Sequence, residues 1–589
     1  MFDIYYTAIV ILLMTLFLIK EIYKPSILLF FSLLLLYLGK VISLDEAFAG
    51  FSNHGMLAVG VLFILATALQ SSSVFEKMIT KSLGDGKSKL IYFRLMLPVS
   101  FVSAFLNNTP VVASLIPLLK KWSKKNDLPV SKFLIPLSYA AILGGFCTLI
   151  GTSTNLVVHG MLLDHGLSGF SFFELGKVGY PVAIAGILYF ALGGHRLLPA
   201  RKDSLVQFGE HTREFVVALK VDSQYPSLGK TIEEANLRHL KGLYLFQIIR
   251  DGKEIAPVSS QEKIRLSDRL FFTGLPETIY ELQKTPGLHV LKDADFDLKN
   301  VDSDKLKTFE AVISNSSPLI GQTVRDCDFR TKYNAVILGI HRGGERIKKK
   351  VGDIELKPND TLFLFADKDF GEKWYHSRDF SLVSLSVDEY SKPKNKGNFA
   401  FLLLFLMVAA VTAGLIESML IAASLTAVIM IMSKIISFTD AKNSVDFDVL
   451  LVIASALGIG KAVETSGLAN VVVQNVVYPL HGLGIVGIIA GLFIITNIYT
   501  QFITNTAAVA LMFPVALATA QLMNVAARPL IITITIAASA CFTSPLGYQT
   551  NLMVYNPGGY KFLDFIKAGL LLNVLVGAVV TLMVYILYF

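Results

Sequence analysis

Long apolar runs separated by short polar stretches fill both ends of this chain, in two sets of six. Several of the runs are long enough to span a bilayer, which takes roughly 20 helical residues. The order and spacing of the runs match between the two sets, which predicts a polytopic α-helical membrane protein built from two repeats. The first set lies near residues 4–19, 25–42, 55–75, 88–119, 133–163 and 179–198, and the second near 398–416, 418–438, 447–465, 484–522, 529–555 and 565–588.

Two polar motifs interrupt the same runs in both sets. In the fourth run, Phe105-Leu-Asn-Asn-Thr-Pro-Val-Val-Ala-Ser-Leu-Ile-Pro117 matches Phe502-Ile-Thr-Asn-Thr-Ala-Ala-Val-Ala-Leu-Met-Phe-Pro514. In the fifth, Gly151-Thr-Ser-Thr-Asn155 matches Gly547-Tyr-Gln-Thr-Asn551. Polar groups at membrane depth are costly unless they bind something or pair with each other. Paired interruptions in two halves indicate the binding site of a transporter. Helix capping alone would account for one such motif more easily than for two matched pairs.

The middle of the fourth run is polar in both sets, and Asn and Pro there disfavour a continuous helix. Either a kinked helix crosses the membrane once, or a hairpin enters, turns at the polar tip and leaves on the same side. Lysines flank the first of these runs on both sides, whereas the flanks of the second, 466–484 and 520–527, carry no Lys or Arg. Because cytoplasmic loops are enriched in basic residues, a hairpin is favoured in both halves, with opposite orientations.

The sequence therefore predicts two inverted repeats, each with five transmembrane helices and one re-entrant hairpin, and both termini outside the cell. On this count residues 202–396 are cytoplasmic, and Arg528 is a basic exception near an external end. The predicted domains are a first membrane repeat at 1–200, an inserted cytoplasmic α+β region at 201–397 and a second membrane repeat at 398–589.

Composition agrees with a membrane protein. The chain of 589 residues is 53% hydrophobic and only 17% charged, with a mean hydropathy of +0.58. The net charge of +8 gives no argument for nucleic acid, because over half of the basic residues lie in the middle region among many acids. The three cysteines, Cys147, Cys327 and Cys541, have neither metal-site spacing nor a disulfide pattern.

The middle region contains a repeat of its own. Ser227-Leu-Gly-Lys-Thr231 parallels Leu319-Ile-Gly-Gln-Thr323, and each is followed by a strand-like run that ends in a turn, at Asp251-Gly252 and at Gly343-Gly344. This pattern predicts two small α+β modules, at about 212–286 and 308–376. The region has no glycine-rich phosphate loop, so nothing argues for nucleotide hydrolysis.

The polar tips suit an anion and a cation together. Helix N-termini offer backbone N–H groups and a partial positive charge to an anion. Asn amides and Thr hydroxyls add directed donors. The backbone carbonyls that are freed at the same breaks suit a dehydrated Na⁺.

At these motifs the chain resembles the divalent anion:sodium symporter family, within the ion transporter superfamily. Asn107-Asn-Thr109 and Thr504-Asn-Thr506 stand where the family has Ser-Asn-Thr, and the broken helices lack the family's two prolines. The residues of these motifs are most similar to those of the sulfate-permease-like subgroup with two inserted TrkA-C domains. The two middle modules are similar to TrkA-C domains, which accompany ion transporters as regulatory ligand-binding domains.

The resemblance implies a set of binding residues. One sodium site would use Ser103, Asn107, Asn108 and Gly151, and the other Thr500, Ile503 through its carbonyl, Asn505 and Gly547. The substrate oxygens would meet Asn108, Thr109, Thr152, Ser153, Asn505, Thr506, Tyr548 and Gln549.

The expected function is secondary active transport of a small divalent anion, with sulfate favoured, by Na⁺ symport and alternating access. The alternatives are a dicarboxylate carrier, an oxyanion exporter or a TrkA-C-regulated ion channel. No nucleophile–base constellation argues for an enzyme, and no prosthetic group is expected. The protein is expected in a bacterial inner or plasma membrane, where it contacts lipid. The resemblance also implies a homodimer. A small regulatory ligand at the TrkA-C-like modules is a further possible partner; nucleic acid is not expected.

Overall fold

We describe the protein from a computed structural model. It describes residues 2–20, 23–70, 74–84, 90–201, 216–237, 243–251, 253–255, 258–259, 261–274, 285–291, 306–314, 317–342, 345–347, 349, 351–374, 377, 379–385 and 397–589. The chain forms two compact units. The helical unit comprises Met1–Ala200, Lys392–Val554 and Lys561–Phe589, and the sheet unit comprises Arg201–Ser391 and Tyr555–Tyr560.

Helices occupy the apolar runs of the first membrane half. Pro25 begins the second helix, where its missing N–H costs no hydrogen bond. Ser43 and Glu46 form a capping box on the short third helix, which the hydrophobic pattern did not predict. The helices are α1 (Phe2–Ile19), α2 (Pro25–Leu38), α3 (Leu44–Phe48), α4 (His54–Gln70), α5 (Val74–Leu83), α6 (Ile91–Ser103), α7 (Asn108–Lys125), α8 (Leu134–Gly145), α9 (Ser153–Asp164) and α10 (Gly176–Leu192).

The sheet unit contains two five-stranded antiparallel sheets with the same strand order. The strand order of the first sheet is β3-β2-β4-β1-β5. Read from the corresponding edge, the order of the second sheet is β8-β7-β9-β6-β10. The strands are β1 (Val216–Val221), β2 (Leu243–Arg250), β3 (Lys253–Ile255), β4 (Arg269–Gly274), β5 (Leu288–Val290), β6 (Leu306–Ile313), β7 (Ala335–Arg342), β8 (Glu345–Arg346), β9 (Thr361–Asp367) and β10 (Phe380–Leu385), with short helices α11 (Phe329–Tyr333) and α12 (Phe370–Trp374) in the second module.

The two modules also repeat their polar contacts. Arg250 Nε donates to Asp268 Oδ1 at 2.8 Å, and Arg342 Nε donates to Asp360 Oδ1 at 2.7 Å. Both carboxylates are completely buried. The middle region thus contains two sheets that share a strand order and a buried arginine–aspartate pair, and the bounds of the two predicted modules stay a prediction. The turn at Gly343-Gly344 lies outside the described residues, as does Gly252, whereas Asp251 has a left-handed φ of 48°.

Helices also occupy the apolar runs of the second membrane half. The fourth and fifth runs are each divided in two, as they are in the first half. The helices are α13 (Gly397–Thr412), α14 (Met419–Met432), α15 (Phe438–Ser444), α16 (Phe447–Thr465), α17 (Leu468–Val472), α18 (Gly484–Thr500), α19 (Asn505–Met523), α20 (Ala527–Ser539), α21 (Gln549–Tyr555) and α22 (Phe562–Tyr588).

The halves pack as a repeat. In the first, α6 contacts α8 and α10; in the second, the corresponding α18 contacts α20 and α22. Between the halves the contacts are exchanged, because α2 packs on α16 while α4 packs on α14. The last helices of the halves, α10 and α22, pack on each other. Such exchange is what an approximate twofold relation between the repeats produces.

α6 and α7 form an antiparallel hairpin. Trp122, near the end of α7, donates its indole N–H at 2.8 Å to the carbonyl of Gly84, which directly follows α5. The ring of Phe133 stacks on Tyr92 of α6 at 5.8 Å and meets Trp122 edge-on at 5.2 Å. Both open ends of the hairpin therefore lie together, with the turn at 104–107 at the other end. The number of membrane crossings stays a prediction.

Among the described residues, four helical segments are long and apolar enough to cross a membrane, judged by length and composition. They are Leu44–Leu69, Tyr478–Thr500, Asn505–Met523 and Phe562–Tyr588, and shorter apolar helices of 10–17 residues accompany them in both halves.

Candidate functional site

Each hairpin tip is closed by a hydroxyl that donates to the asparagine five residues later. Ser103 Oγ donates to Asn108 Oδ1 at 2.6 Å, and Thr500 Oγ1 donates to Asn505 Oδ1 at 3.0 Å. The two asparagines are the first residues of α7 and α19. Since each Oδ1 faces its hydroxyl, each amide Nδ2 remains available as a donor.

The breaks in the fifth runs are closed by a second pair of asparagines. Asn155 Nδ2 donates to the carbonyls of Gly145 at 3.0 Å and Thr148 at 2.8 Å. Asn551 Nδ2 donates to the carbonyls of Cys541 at 2.8 Å and Ser544 at 3.1 Å. These carbonyls lie at helix ends or in the break, where the regular helical hydrogen-bond pattern stops. Asn155 and Asn551 are therefore structural residues that hold the breaks open.

The first tip and the second broken helix meet. Asn108 Nδ2 donates to the hydroxyl oxygen of Tyr548. Thr109 Oγ1 donates to Gln549 Oε1 at 3.2 Å, and the hydroxyls of Thr152 and Tyr548 lie 3.4 Å apart. Five of the predicted substrate residues, from both repeats, thus form one polar cluster in the helical unit.

Other predicted residues keep unused hydrogen-bonding groups. Within the described part of the chain, the side chains of Asn107, Ser153 and Thr506 and the amide nitrogen of Asn505 make no hydrogen bond. Asn107, Ser153 and Asn505 are half-buried, and Thr506 is buried. They are the groups that a bound anion could engage without breaking a contact.

A crevice reaches two of these groups. Apolar side chains of α4 and Leu404 line one wall, and Phe105, Leu106 and Asn107 of the first tip line another together with Ser153. Asn107 and Ser153 thus border a space between the tip and α4.

The predicted ligands of the first sodium site lie close together. A Cβ on Gly145 would lie 3.1 Å from Asn108 Nδ2, 3.2 Å from Asn108 Oδ1 and 3.4 Å from the carbonyl oxygen of Gly151, so the Asn108 amide and this carbonyl both approach Gly145. Ser103 Oγ lies next to the same Asn108 oxygen. Neutral oxygens of this kind are the ligands that hard cations prefer. Asn107 is adjacent to the set in sequence.

The second sodium site is built in the same way. A Cβ on Gly547 would collide with the carbonyl oxygen of Thr500, so the two backbones touch. Thr500 Oγ1 lies 2.5 Å from the carbonyl oxygen of Ala538 as well as 3.0 Å from Asn505 Oδ1. Its single proton serves one of these acceptors at a time, which leaves oxygen lone pairs facing each other. Ile503, the remaining predicted ligand, is buried in the tip turn.

Two supporting residues on α8 were not among those predicted from the sequence. Ser138 Oγ lies 2.9 Å from Thr550 Oγ1 and 2.7 Å from Asn551 Oδ1, and the Tyr139 hydroxyl donates to the carbonyl of Phe542. Both position the second broken helix from the first repeat. Their signal was a polar Ser-Tyr pair within the otherwise apolar run of α8.

This chain is similar to known membrane transporters over most of its length. The profile of a family described as citrate transporter matches residues 14–537. A protein of Chlamydomonas reinhardtii, provisionally named sulfur deprivation response regulator, is 35% identical over 97% of this chain and 99% of its own length. An uncharacterized transporter of Synechocystis sp. is 28% identical over 99% of this chain and 96% of its own length. Sodium/sulfate cotransporter 1 of Chlamydomonas reinhardtii is 25% identical over 92% of this chain and 85% of its own length.

Proposed function

The chain belongs to the citrate transporter family, and from this premise we propose that it carries a small divalent anion, with sulfate favoured, together with Na⁺ by alternating access. The match and the relatives confirm the resemblance to the divalent anion:sodium symporters. The protein is a multi-pass membrane transporter and not an enzyme.

One observation supports the substrate class most directly, namely the cluster in which the first tip meets the second broken helix. Its donors are all neutral: Asn108, Thr109, Thr152, Tyr548 and Gln549. The helices α7, α9 and α19 begin at or beside these groups and the unused donors, and helix N-termini favour negative charge. A cation bound beside these neutral donors would add positive charge next to a divalent anion, which supports Na⁺ coupling.

The asparagines at the two tips provide the coupling. Each carboxamide can offer Oδ1 to Na⁺ and Nδ2 to the anion. The hydroxyls of Ser103 and Thr500 donate to these Oδ1 atoms. A Na⁺ ion that binds to Oδ1 replaces this hydrogen bond, and the hydroxyl group keeps its proton and turns it away. The ion also orders the tip and adds positive charge beside the anion. By linkage, the anion raises the affinity for Na⁺ by the same factor.

Alternating access requires the binding residues to move together. The donors lie on α7, α9, α19 and α21 or immediately before them, and hydrogen bonds tie α7 to α21. The α4–α9 contact is close, because a Cβ on Gly55 would collide with the carbonyl oxygen of Leu156. We assign the tips and broken helices to one moving body that slides against a scaffold made of the first two transmembrane helices of each repeat, α1, α2, α13 and α14.

The sheet unit has a separate proposed role. We place it in the cytoplasm as a pair of TrkA-C-like regulatory modules that bind a small ligand, and we assign the protein to a bacterial inner membrane as a homodimer in contact with lipid. The identical strand order of its two sheets supports the duplicated module.

A second candidate substrate class is organic acids, because the matching family is described by citrate. Uptake of radiolabelled sulfate, succinate and citrate into proteoliposomes, with a Na⁺ gradient or with choline replacing Na⁺, separates the possibilities. We expect saturable sulfate uptake that accumulates only with the Na⁺ gradient. Preferential uptake of succinate or citrate would reassign the substrate, and downhill flux without saturation or Na⁺ dependence would show a channel.

A further inference from the structure

The duplication gives the binding region two corresponding halves. In each half, the tip of one repeat faces the broken helix of the other, since α7 is hydrogen-bonded to α21 and α19 packs on α9. The tip-1 cradle consists of Asn108, Thr109, Tyr548 and Gln549. The tip-2 cradle consists of the matching residues Asn505, Thr506, Thr152 and Ser153. If the two repeats had the same sequence, both cradles would offer an anion the same donors.

The tip-1 cradle is closed by hydrogen bonds between the repeats. Asn108 Nδ2 donates to the hydroxyl oxygen of Tyr548, and Thr109 Oγ1 donates to Gln549 Oε1 at 3.2 Å. Asn108 is 0% exposed, so its amide lies behind these contacts and out of reach of solvent. The donors of this tip are therefore engaged by the opposite repeat, where an anion would otherwise accept from them.

The tip-2 cradle lacks the corresponding bonds. Among the described residues, the amide nitrogen of Asn505 and the side chains of Thr506 and Ser153 make no hydrogen bond. Asn505 and Ser153 are half-buried, so a small solute can reach them. Thr152, the remaining member, is buried beside the Tyr548 hydroxyl. This cradle therefore keeps the donors that an anion needs.

Two side chains account for the difference. Tyr548 and Gln549 stand where the first break has Thr152 and Ser153. The longer phenol and amide side chains reach across to the opposite tip, whereas a threonine and a serine end short of it. Tyr548 is only 7% exposed, so its ring fills space that the shorter Thr152 leaves open in the matching half.

The Tyr548 hydroxyl keeps a proton for the substrate. Its oxygen accepts from the Asn108 amide, and Thr152 Oγ1, at 3.4 Å, lies at the outer limit of hydrogen-bond distance. An anion that binds beside Thr152 can accept this proton instead. Tyr548 thus closes the tip-1 cradle and adds one donor to the edge of the tip-2 cradle.

We propose that Tyr548 determines the substrate class, because it leaves one cradle open and so selects a compact oxyanion such as sulfate over a linear dicarboxylate. Sulfate carries both charges on one tetrahedral centre, which a single cradle can surround. A dicarboxylate carries its charges at two separate ends, and the second carboxylate would need the donors of the tip-1 cradle. A buried carboxylate without donors is strongly destabilised. The inference rests on the proposed anion transport and identifies the substrate of that site.

The test makes the second break identical to the first. Tyr548→Thr combined with Gln549→Ser gives residues 547–551 the same sequence as residues 151–155. The control carries the same two changes at exposed positions of the second repeat, Tyr478→Thr with Gln521→Ser. Binding of ³⁵S-labelled sulfate to detergent-purified protein in Na⁺ is measured against succinate as competitor, and uptake of both anions is measured in proteoliposomes.

We expect the wild type and the control to bind sulfate and to release it only at high succinate concentration. The double variant should lower the inhibition constant of succinate by about tenfold or more, as one hydrogen bond to a charged group predicts. It should also transport succinate. An unchanged inhibition constant in the folded double variant would overturn the proposal, as would a wild type that prefers succinate.

Two single variants keep the test decisive if the double variant does not fold. Tyr548→Phe keeps the ring and removes the hydroxyl, so it should bind sulfate more weakly and still exclude succinate; tight succinate binding would contradict the role of the ring. Gln549→Ser, at an exposed position, should lower the succinate constant less than the double variant, and no decrease would count against the closed cradle. Wild-type protein that binds neither anion in Na⁺ would refute the proposed function itself.

Discussion

At the scale of single residues, the two tip asparagines are equivalent in sequence but not in their contacts. Both accept from a hydroxyl five residues earlier, yet only the Asn108 amide is engaged by the opposite repeat, through Tyr548. The amide nitrogen of Asn505 makes no hydrogen bond within the described part of the chain. Asn505 is therefore the purer probe of anion binding, whereas Asn108 also links the repeats.

Asn108→Ala and Asn505→Ala should each weaken anion binding and its Na⁺ dependence together, because one carboxamide serves both ligands. Loss of a hydrogen bond to a charged group is worth roughly 1.5–3 kcal/mol, or about tenfold or more in affinity. Sulfate affinity measured against Na⁺ concentration checks this. Asn475→Ala is the control, since Asn475 is exposed and bonds only within its own helical segment. Unchanged affinities in both tip variants would place the binding site elsewhere.

Much of the candidate site could be predicted from its local motifs, but its pairing could not. The tips and breaks can be recognised in the sequence as polar residues within apolar runs. That Asn108 meets Tyr548, 440 positions later, has no signal in the sequence, because the contact depends on how the two repeats pack. Tyr139 was missed for the same reason: its partner is a backbone carbonyl of the other repeat.

At the scale of helices, the apolar runs predicted the long elements well and the connecting ones poorly. Both interrupted runs divide where the Asn-Thr and Gly-rich motifs predict. The short helices α3, α5, α15 and α17 were not predicted, because five to ten residues of mixed polarity give too short a periodic pattern. Their ends depend on local caps, such as Ser437 accepting from the Asp440 N–H.

Asn155→Ala and Asn551→Ala should lower stability more than they alter binding. Each amide satisfies two carbonyls at its break, and a buried acceptor left without a partner costs about 1–3 kcal/mol. Thermal unfolding in detergent is expected to shift downward for both variants, while the folded fraction keeps the Na⁺ dependence of the wild type. A shift in Na⁺ or anion affinity without loss of stability would contradict this structural role.

Arg528, the basic exception at a predicted external end, is paired. Its Nε and Nη2 each lie 2.6 Å from a carboxylate oxygen of Glu174, and it also donates to the carbonyls of Ser168 and Gly169. It thus fastens the loop before α10 to the start of α20. Arg528 therefore has a clear structural role, and it stays the basic exception to the predicted orientation.

The same pair gives a pH-dependent prediction. Burial alone would raise the pKa of Glu174, but the hydrogen bonds from Arg528 and the Ser171 N–H outweigh it, so the pKa lies below its ordinary value. The stabilisation that the Glu174–Arg528 pair gives to the folded protein is therefore complete above the ordinary carboxyl pKa. It is lost as the pH falls through the lower pKa of Glu174 in the folded protein. Arg528→Met should cost roughly 1.5–3 kcal/mol at pH 7. Melting temperatures of wild type and variant should converge at strongly acidic pH; a constant difference would exclude the ion pair as the cause.

At the scale of the whole molecule, two duplications are nested. The helical unit repeats one arrangement of hairpin and broken helix, and the sheet unit repeats one strand order with its buried arginine–aspartate pair. The contact of α2 with α16 corresponds to the contact of α14 with α4 when the two repeats are interchanged, as a twofold relation between them requires. Packing alone does not say which side of the membrane each end faces. That orientation rests on the distribution of lysine and arginine, and it requires a direct test.

Site-directed cysteine labelling in intact cells tests the inverted topology. With Cys327, the half-buried native thiol, replaced by Ser, single cysteines are placed at Gly482 before the second hairpin and at Lys125 at the end of the first. A side chain at Gly482 would meet open space, and Lys125 is exposed, so both sites can react if the reagent reaches them. Because the first hairpin is flanked by lysines and the second is not, a membrane-impermeant maleimide should label Gly482→Cys in intact cells and Lys125→Cys only after permeabilisation. Labelling of both positions from the same side would rule out inverted repeats, and with them the placement of both hairpin tips at a shared site.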